Sequence, residues 1–219
     1  MGRRGMPACG EEIAAEAARI VCEEAMLDYH SAKLKAAQRL GLGSRVRLPD
    51  NARLERAIID YQRLFGGAGY AEQLLRMRRA AIQAMRLLVE FSPRLVGAVA
   101  SGAITRAHRV QLHLFCDAPE LVEVFLDDRD IRVQQAERLY RFAGGHREQI
   151  PLVRFAVGGV GVDAALFSAE DLQRTPLSPA GGAPVRRHDR VQVEALACQP
   201  AADAPLAGPA QFQSTNEPE

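Results

Sequence analysis

The hydrophobic pattern of this chain changes period at Ser92-Pro93, and that change confines the fold more than any other feature. Before it, apolar residues recur every three or four positions, the spacing of one helix face. Ile13, Ala17, Ile20, Val21 and Leu27 make a first stripe, and Ser31 to Leu40 a second helix stopped by Gly41-Leu42-Gly43. Pro49-Asp50-Asn51 opens a third, with Leu54, Ile58, Tyr61 and Leu64 or Phe65 as its buried face and Gly66-Gly67-Ala68-Gly69 as its end. The fourth, roughly Ala71 to Glu90, carries Leu74, Met77, Ala81, Met85 and Leu88 on one side.

Beyond the proline the period becomes two. Val110, Leu112 and Leu114 alternate with Gln111, His113 and Phe115, which predicts a strand. Asp117-Ala118-Pro119-Glu120 has the form of a helix start, with Asp117 expected to cap a helix running to about Asp128. Ile131 to Phe142 reads as another strand. Gly144-Gly145 turns the chain into Ile150–Val157, and Gly158-Gly159 turns it into Val160–Phe167, a hairpin. Pro176, Pro179, Gly181, Gly182 and Pro184 mark a loop, and Arg190 to Ala197 a short helix. Gln199–Glu219 has little to bury and is expected to be disordered. The expected organisation is a helical region at 1–68, an α/β domain at 69–175, a loop and short helix at 176–198, and a tail at 199–219. The fold class is α+β, a helical N-terminal part packed on a small mixed sheet.

Composition narrows the partners. The net charge is +1 and aromatic residues are 5%, which disfavours nucleic acid and anionic membrane surfaces. No run approaches the roughly 20 apolar residues of a membrane span, and Met1–Glu12 lacks the apolar core of a secretory signal. Cys9, Cys22, Cys116 and Cys198 are scattered, as free thiols of a reducing compartment are, so a cytoplasmic protein is expected. Of 28 basic residues only Lys33 and Lys35 are lysines. Arg76, Arg79 and Arg86 stand off the fourth helix's stripe as a basic ridge. A solvated face explains them, and an acidic protein partner at 71–90 is the functional alternative.

The segment Val96-Gly97-Ala98-Val99-Ala100-Ser101-Gly102, ahead of the Val110–Phe115 strand, resembles the glycine turn that opens the nucleotidyltransferase fold. That resemblance spans about residues 70–170. It implies a turn touching nucleotide phosphates, two acids one residue apart on the next strand, and a third acid from a later strand, together holding divalent metal. Acids at alternate strand positions share one face, where two Mg²⁺ ions can stabilise the attacking and leaving oxygens. Asp163 matches the third acid. The positions of the first two hold Arg109 and Gln111 in one register and Gln111 and His113 in the other, and none of these is a preferred Mg²⁺ ligand. The implied protein is a catalytically impaired nucleotide-binding or regulatory module. Gly97, Ser101, Gly102, Gln111 and His113 would meet the nucleotide, Asp163 would hold Mg²⁺, and Asp163 and Asp117 are the candidate catalytic acids should transfer activity persist.

His113 and Cys116, three apart on a strand, point to opposite faces and do not make a nucleophile pair. His108, His146 and His188 read as surface or turn residues, and no cluster has zinc spacing. Ala32-Lys33-Leu34-Lys35-Ala36-Ala37, Leu48-Pro49-Asp50-Asn51 and Leu112-His113-Leu114-Phe115-Cys116-Asp117 also resemble a group of short proteobacterial proteins, some labelled UDP-N-acetylmuramate–alanine ligase. Such a ligase needs a glycine-rich loop ending in Gly-Lys-Ser or Gly-Lys-Thr, and neither lysine here follows a glycine. At 219 residues the chain is also short of that enzyme's three domains.

Overall fold

A computed structural model describes residues 10–43, 46–179 and 182–198. Both expectations about class hold: the fold is α+β, with a helical N-terminal part and a five-stranded mixed sheet. Helices α1 (Gly10–Glu24), α2 (Tyr29–Arg39) and α3 (Asn51–Phe65) enclose their own core of Ile13, Ala17, Ile20, Val21, Leu54 and Ile58. Two aspartates start the second and third of these. Asp28 accepts the amide of His30, and Asp50 that of Arg53, each replacing a hydrogen bond the first turn lacks.

Lys33 joins the Ala32–Ala37 phrase to the Leu48–Asn51 phrase. Its buried ammonium donates to the Pro49 carbonyl (2.9 Å) and the Asn51 side chain (2.6 Å), tying α2 to the start of α3. Asn51 in turn donates to Pro179. These phrases therefore meet in space as a structural tie.

Some apolar residues are not where the periodicity placed them. Leu27 lies past the end of α1 and is exposed, as are Leu64 and Phe65 at the end of α3, where Phe65 rests against Tyr61 of its own helix. Helix α4 (Gly67–Leu87) begins at the glycine run, because Gly67 at φ +52° turns the chain directly from one helix to the next. A short turn follows, and Ser92, at φ +48°, leads into β1 (Arg94–Val96). Three residues are too few to display alternation, so β1 has no sequence signature. Next come the one-turn helix α5 (Ala98–Ser101), β2 (Val110–Phe115), α6 (Glu120–Asp127), β3 (Gln134–Arg141), β4 (Arg147–Val157), β5 (Val160–Phe167) and α7 (Arg190–Cys198). The 199–219 tail and Cys9 lie outside the described residues.

The strand order is β1-β2-β5-β4-β3, with β2 and β5 parallel and every other pair antiparallel. The central pair is almost continuously buried, as expected of strands covered on both sides. Leu112, Leu114, Val153, Val162, Ala164 and Leu166 pack against α4, and α7 joins the same core through Val193. Buried Arg78 of α4 donates to the Leu196 carbonyl (2.7 Å), satisfying a group at the end of α7. By alternation the other face carries Gln111, His113 and Phe115 from β2 and Asp163, Ala165 and Phe167 from β5.

Candidate anion site on the open face of the sheet

Along that second face the side chains divide into two groups. Phe115, Phe142, Ile150, Leu152, Ala165 and Phe167 form an apolar cluster, with Tyr140 packed against it. Arg187 covers it: its guanidinium lies over Phe115 (4.7 Å from the ring centroid) and donates to the carbonyls of Asp171 and Leu172. The segment after β5 is thus strapped across this half. The remaining half is polar, and Asp163 is its centre.

Register places Gln111 and Arg154 beside Asp163 on the two flanking strands. Arg109 Nε donates to Asp163 Oδ1 at 2.5 Å, Arg138 Nη2 reaches Oδ2 at 3.1 Å, and Arg154 Nε stands 3.7 Å from Oδ1. The carboxylate is only 6% exposed, whereas the arginine side chains are 41%, 33% and 40% exposed respectively. One sealed negative charge therefore faces three positive charges whose outer edges reach water, an excess of two. Arg154 Nε is buried without a hydrogen-bond acceptor among the described residues. Its nearest charged oxygen is Asp163 Oδ1, so the outer amino groups of Arg154 are the part that water can reach.

Gly161 makes the arrangement possible. A Cβ there would lie 2.2 Å from Arg109 Nη1, so the bare backbone is the seat on which the guanidinium rests. From that seat Arg109 Nη2 also donates to the carbonyls of Phe155 and Val162, each at 3.2 Å.

The residues that the sequence resemblance singled out do not gather into one cleft. Gly97 and Gln111 come together: Gly97 adopts φ +74°, and a Cβ on it would lie 2.6 Å from Gln111 Oε1. The space above the glycine is filled by this chain's own glutamine. Gly102, at φ +92°, faces the helix side, where Tyr70 Oη donates to its carbonyl at 2.8 Å. Ser101 Oγ is engaged within its own turn, with Ala98 and Ala103. His113 shares the face of Gln111 and Asp163 but is buried against Phe167 and Tyr140, and its Nδ1 accepts from Arg187. Burial, reinforced by Arg187 and Arg138, holds its pKa down to about 3, so it is neutral at ordinary pH.

A divalent cation does not fit this site. Guanidinium groups occupy the Asp163 oxygens, their charge opposes a second cation, and among the described residues there is no group of three or more His, Cys, Asp or Glu able to hold a metal. Asp117 does not assist. It lies beyond the far end of β2 from the Asp163 row, more than ~13 Å away at roughly 3.3 Å per residue. Nor does it cap α6, which has no side-chain cap. Its Oδ1 instead accepts the amide of Ala169 (3.0 Å), holding the turn after β5.

Among the other histidines, His108 is half-buried rather than a plain turn residue. Its Nδ1 accepts the Thr105 amide at 2.9 Å, and burial lowers its pKa. His146 stands 3.4 Å from Glu148, and His188 pairs its backbone with Leu95. Cys22, Cys116 and Cys198 are free thiols, and Cys116 packs on the α4 side, away from His113. Arg138, Arg154 and Gly161 are the site residues that the sequence reading missed. Their signal was arginine at inward strand positions and a glycine two residues before a buried acid. No known protein family, no curated protein and no solved structure matches this chain, so the geometry of the arginine-ringed Asp163 stands alone as the guide to its function.

Proposed function

We propose that the arginine end of the sheet binds the phosphates of a nucleotide directly, with guanidinium groups where the resembled fold would use metal. The chain is then a binding or regulatory module without two-metal transfer chemistry. The carrying observation is the convergence of Arg109, Arg138 and Arg154 on the single carboxylate of Asp163. One anion neutralises one of the three cations, and the planar donor fork of arginine matches phosphate oxygens in pairs.

Calorimetric titration with ATP, GTP, CTP and UTP tests the proposal, with and without Mg²⁺. Binding is expected without Mg²⁺ and to be no tighter with it, because the cation masks phosphate charge. Arg138→Gln and Arg154→Gln should each weaken it about tenfold, the worth of one charge-assisted contact. Absence of heat with every nucleotide would overturn the proposal. So would binding that needs Mg²⁺ and ignores both substitutions.

A further inference from the structure

The basic ridge on α4 has a feature that a solvated helix face does not require. Arg76 and Arg79 border a cleft of about 380 Å³ between α4 and the turn joining β4 to β5. Its walls are largely apolar, with Leu75 and Ala80 from the helix and Val157 and Val160 from the hairpin. Gly158, at φ +55°, turns the hairpin tip without adding a side chain to the opening. Glu72 stands on the same rim, so the cleft carries two positive charges against one negative. Among the described residues neither Arg76 nor Arg79 forms a hydrogen bond or an ion pair.

We infer that this cleft is a second binding site, for a small amphiphilic anion: a carboxylate or phosphate headgroup on a short apolar body. Both parts of the ligand follow from the lining. An apolar body displaces water from the half-buried Leu75 and Val157, over a floor of buried Ala80 and Val160. The headgroup would meet guanidinium groups that have no acid to give up. The volume lies near the small end of the roughly 300–1,000 Å³ range of ligand sites, which selects a short ligand over a long lipid. The cleft faces the helix side of the hairpin, whereas Arg109 lies on the opposite face over Gly161. The two sites are therefore separate, and this inference does not depend on the nucleotide reading.

Octanoate is the probe, with octanol as its uncharged counterpart, each titrated into the full chain by ligand-detected NMR. Octanoate is expected to bind saturably and at least about tenfold more tightly than octanol, as one charge-assisted contact allows. The double substitution Arg76→Gln/Arg79→Gln sits on an exposed helix face and should bring octanoate to the level of octanol. Arg109→Gln/Arg138→Gln should leave octanoate binding unchanged while reducing nucleotide binding. No saturable octanoate binding would overturn the inference. Octanoate binding that survives the α4 double substitution, or is lost on the sheet-face one, would overturn it too.

Discussion

The two halves of the open sheet face are built from the same strands and differ in almost every property. At one end of β2 and β5, His113, Phe115 and Phe167 are sealed under Arg187, and even an imidazole is buried enough to stay neutral. At the other end, Gln111 and Asp163 carry a ring of arginines that water reaches. Strand alternation makes both rows inward-facing. What separates them is the covering: the segment after β5 closes over the aromatic end and leaves the arginine end open. The lesson is that an inward-facing row becomes core or site according to what is laid across it. Arginine serves both roles here, as an apolar-stacking strap at Arg187 and as an anion-facing ring around Asp163.

The contrast can be broken first at its sealed end. Phe167→Ala should cost about 3–5 kcal/mol, the usual loss for a fully buried phenylalanine, read as a drop in the urea midpoint. Nucleotide binding by the folded fraction should persist, and its parallel loss would show that the two halves form one cooperative unit. Asp163→Asn acts at the open end. It leaves three arginines without their counter-charge, and should cost about 2–3 kcal/mol, less than a fully buried pair because the guanidiniums are part-exposed. The same substitution should strengthen phosphate binding, since the internal competitor is gone. Weaker binding would show that the arginines depend on the carboxylate for their positions more than they are masked by it.

A separate effect is in pH dependence. His113 has an ordinary pKa near 6.5 when unfolded and about 3 when folded, so between these values the unfolded chain holds the extra proton. The stability that this histidine supports is therefore complete above about pH 6.5 and is lost progressively as pH falls toward 3, by at most about 1.4 kcal/mol per pH unit. NMR titration should show its ring neutral at pH 5. A protonation midpoint near 6 would mean that the aromatic end is open to water.

Much of this molecule could be read from residue order. The period change at Ser92-Pro93 identified an α+β chain, and β2 begins and ends where Val110–Phe115 alternation says it should. Glycine pairs located the two turns of the sheet's hairpins, and the spacing of Leu74, Met77, Ala81 and Met85 gave the buried side of α4. Local preferences decide such features, so one dimension is enough to display them. Asp163 also stood out, as an acid in an apolar strand.

The meaning of Asp163 did not. Arg109, Arg138 and Arg154 come from the lead into β2, from β3 and from β4, separated from it by 54, 25 and nine positions. Sequence alone matched Asp163 to a third metal-holding acid and gave no sign of the guanidiniums that meet it. Register across four strands brought three guanidiniums to it, and the absence of a Cβ at Gly161 gave one of them a place to lie. Charge is a property of the composition. Which charges face one another is settled only when separate strands pair, because Coulomb interaction falls with distance in space and takes no account of distance along the chain.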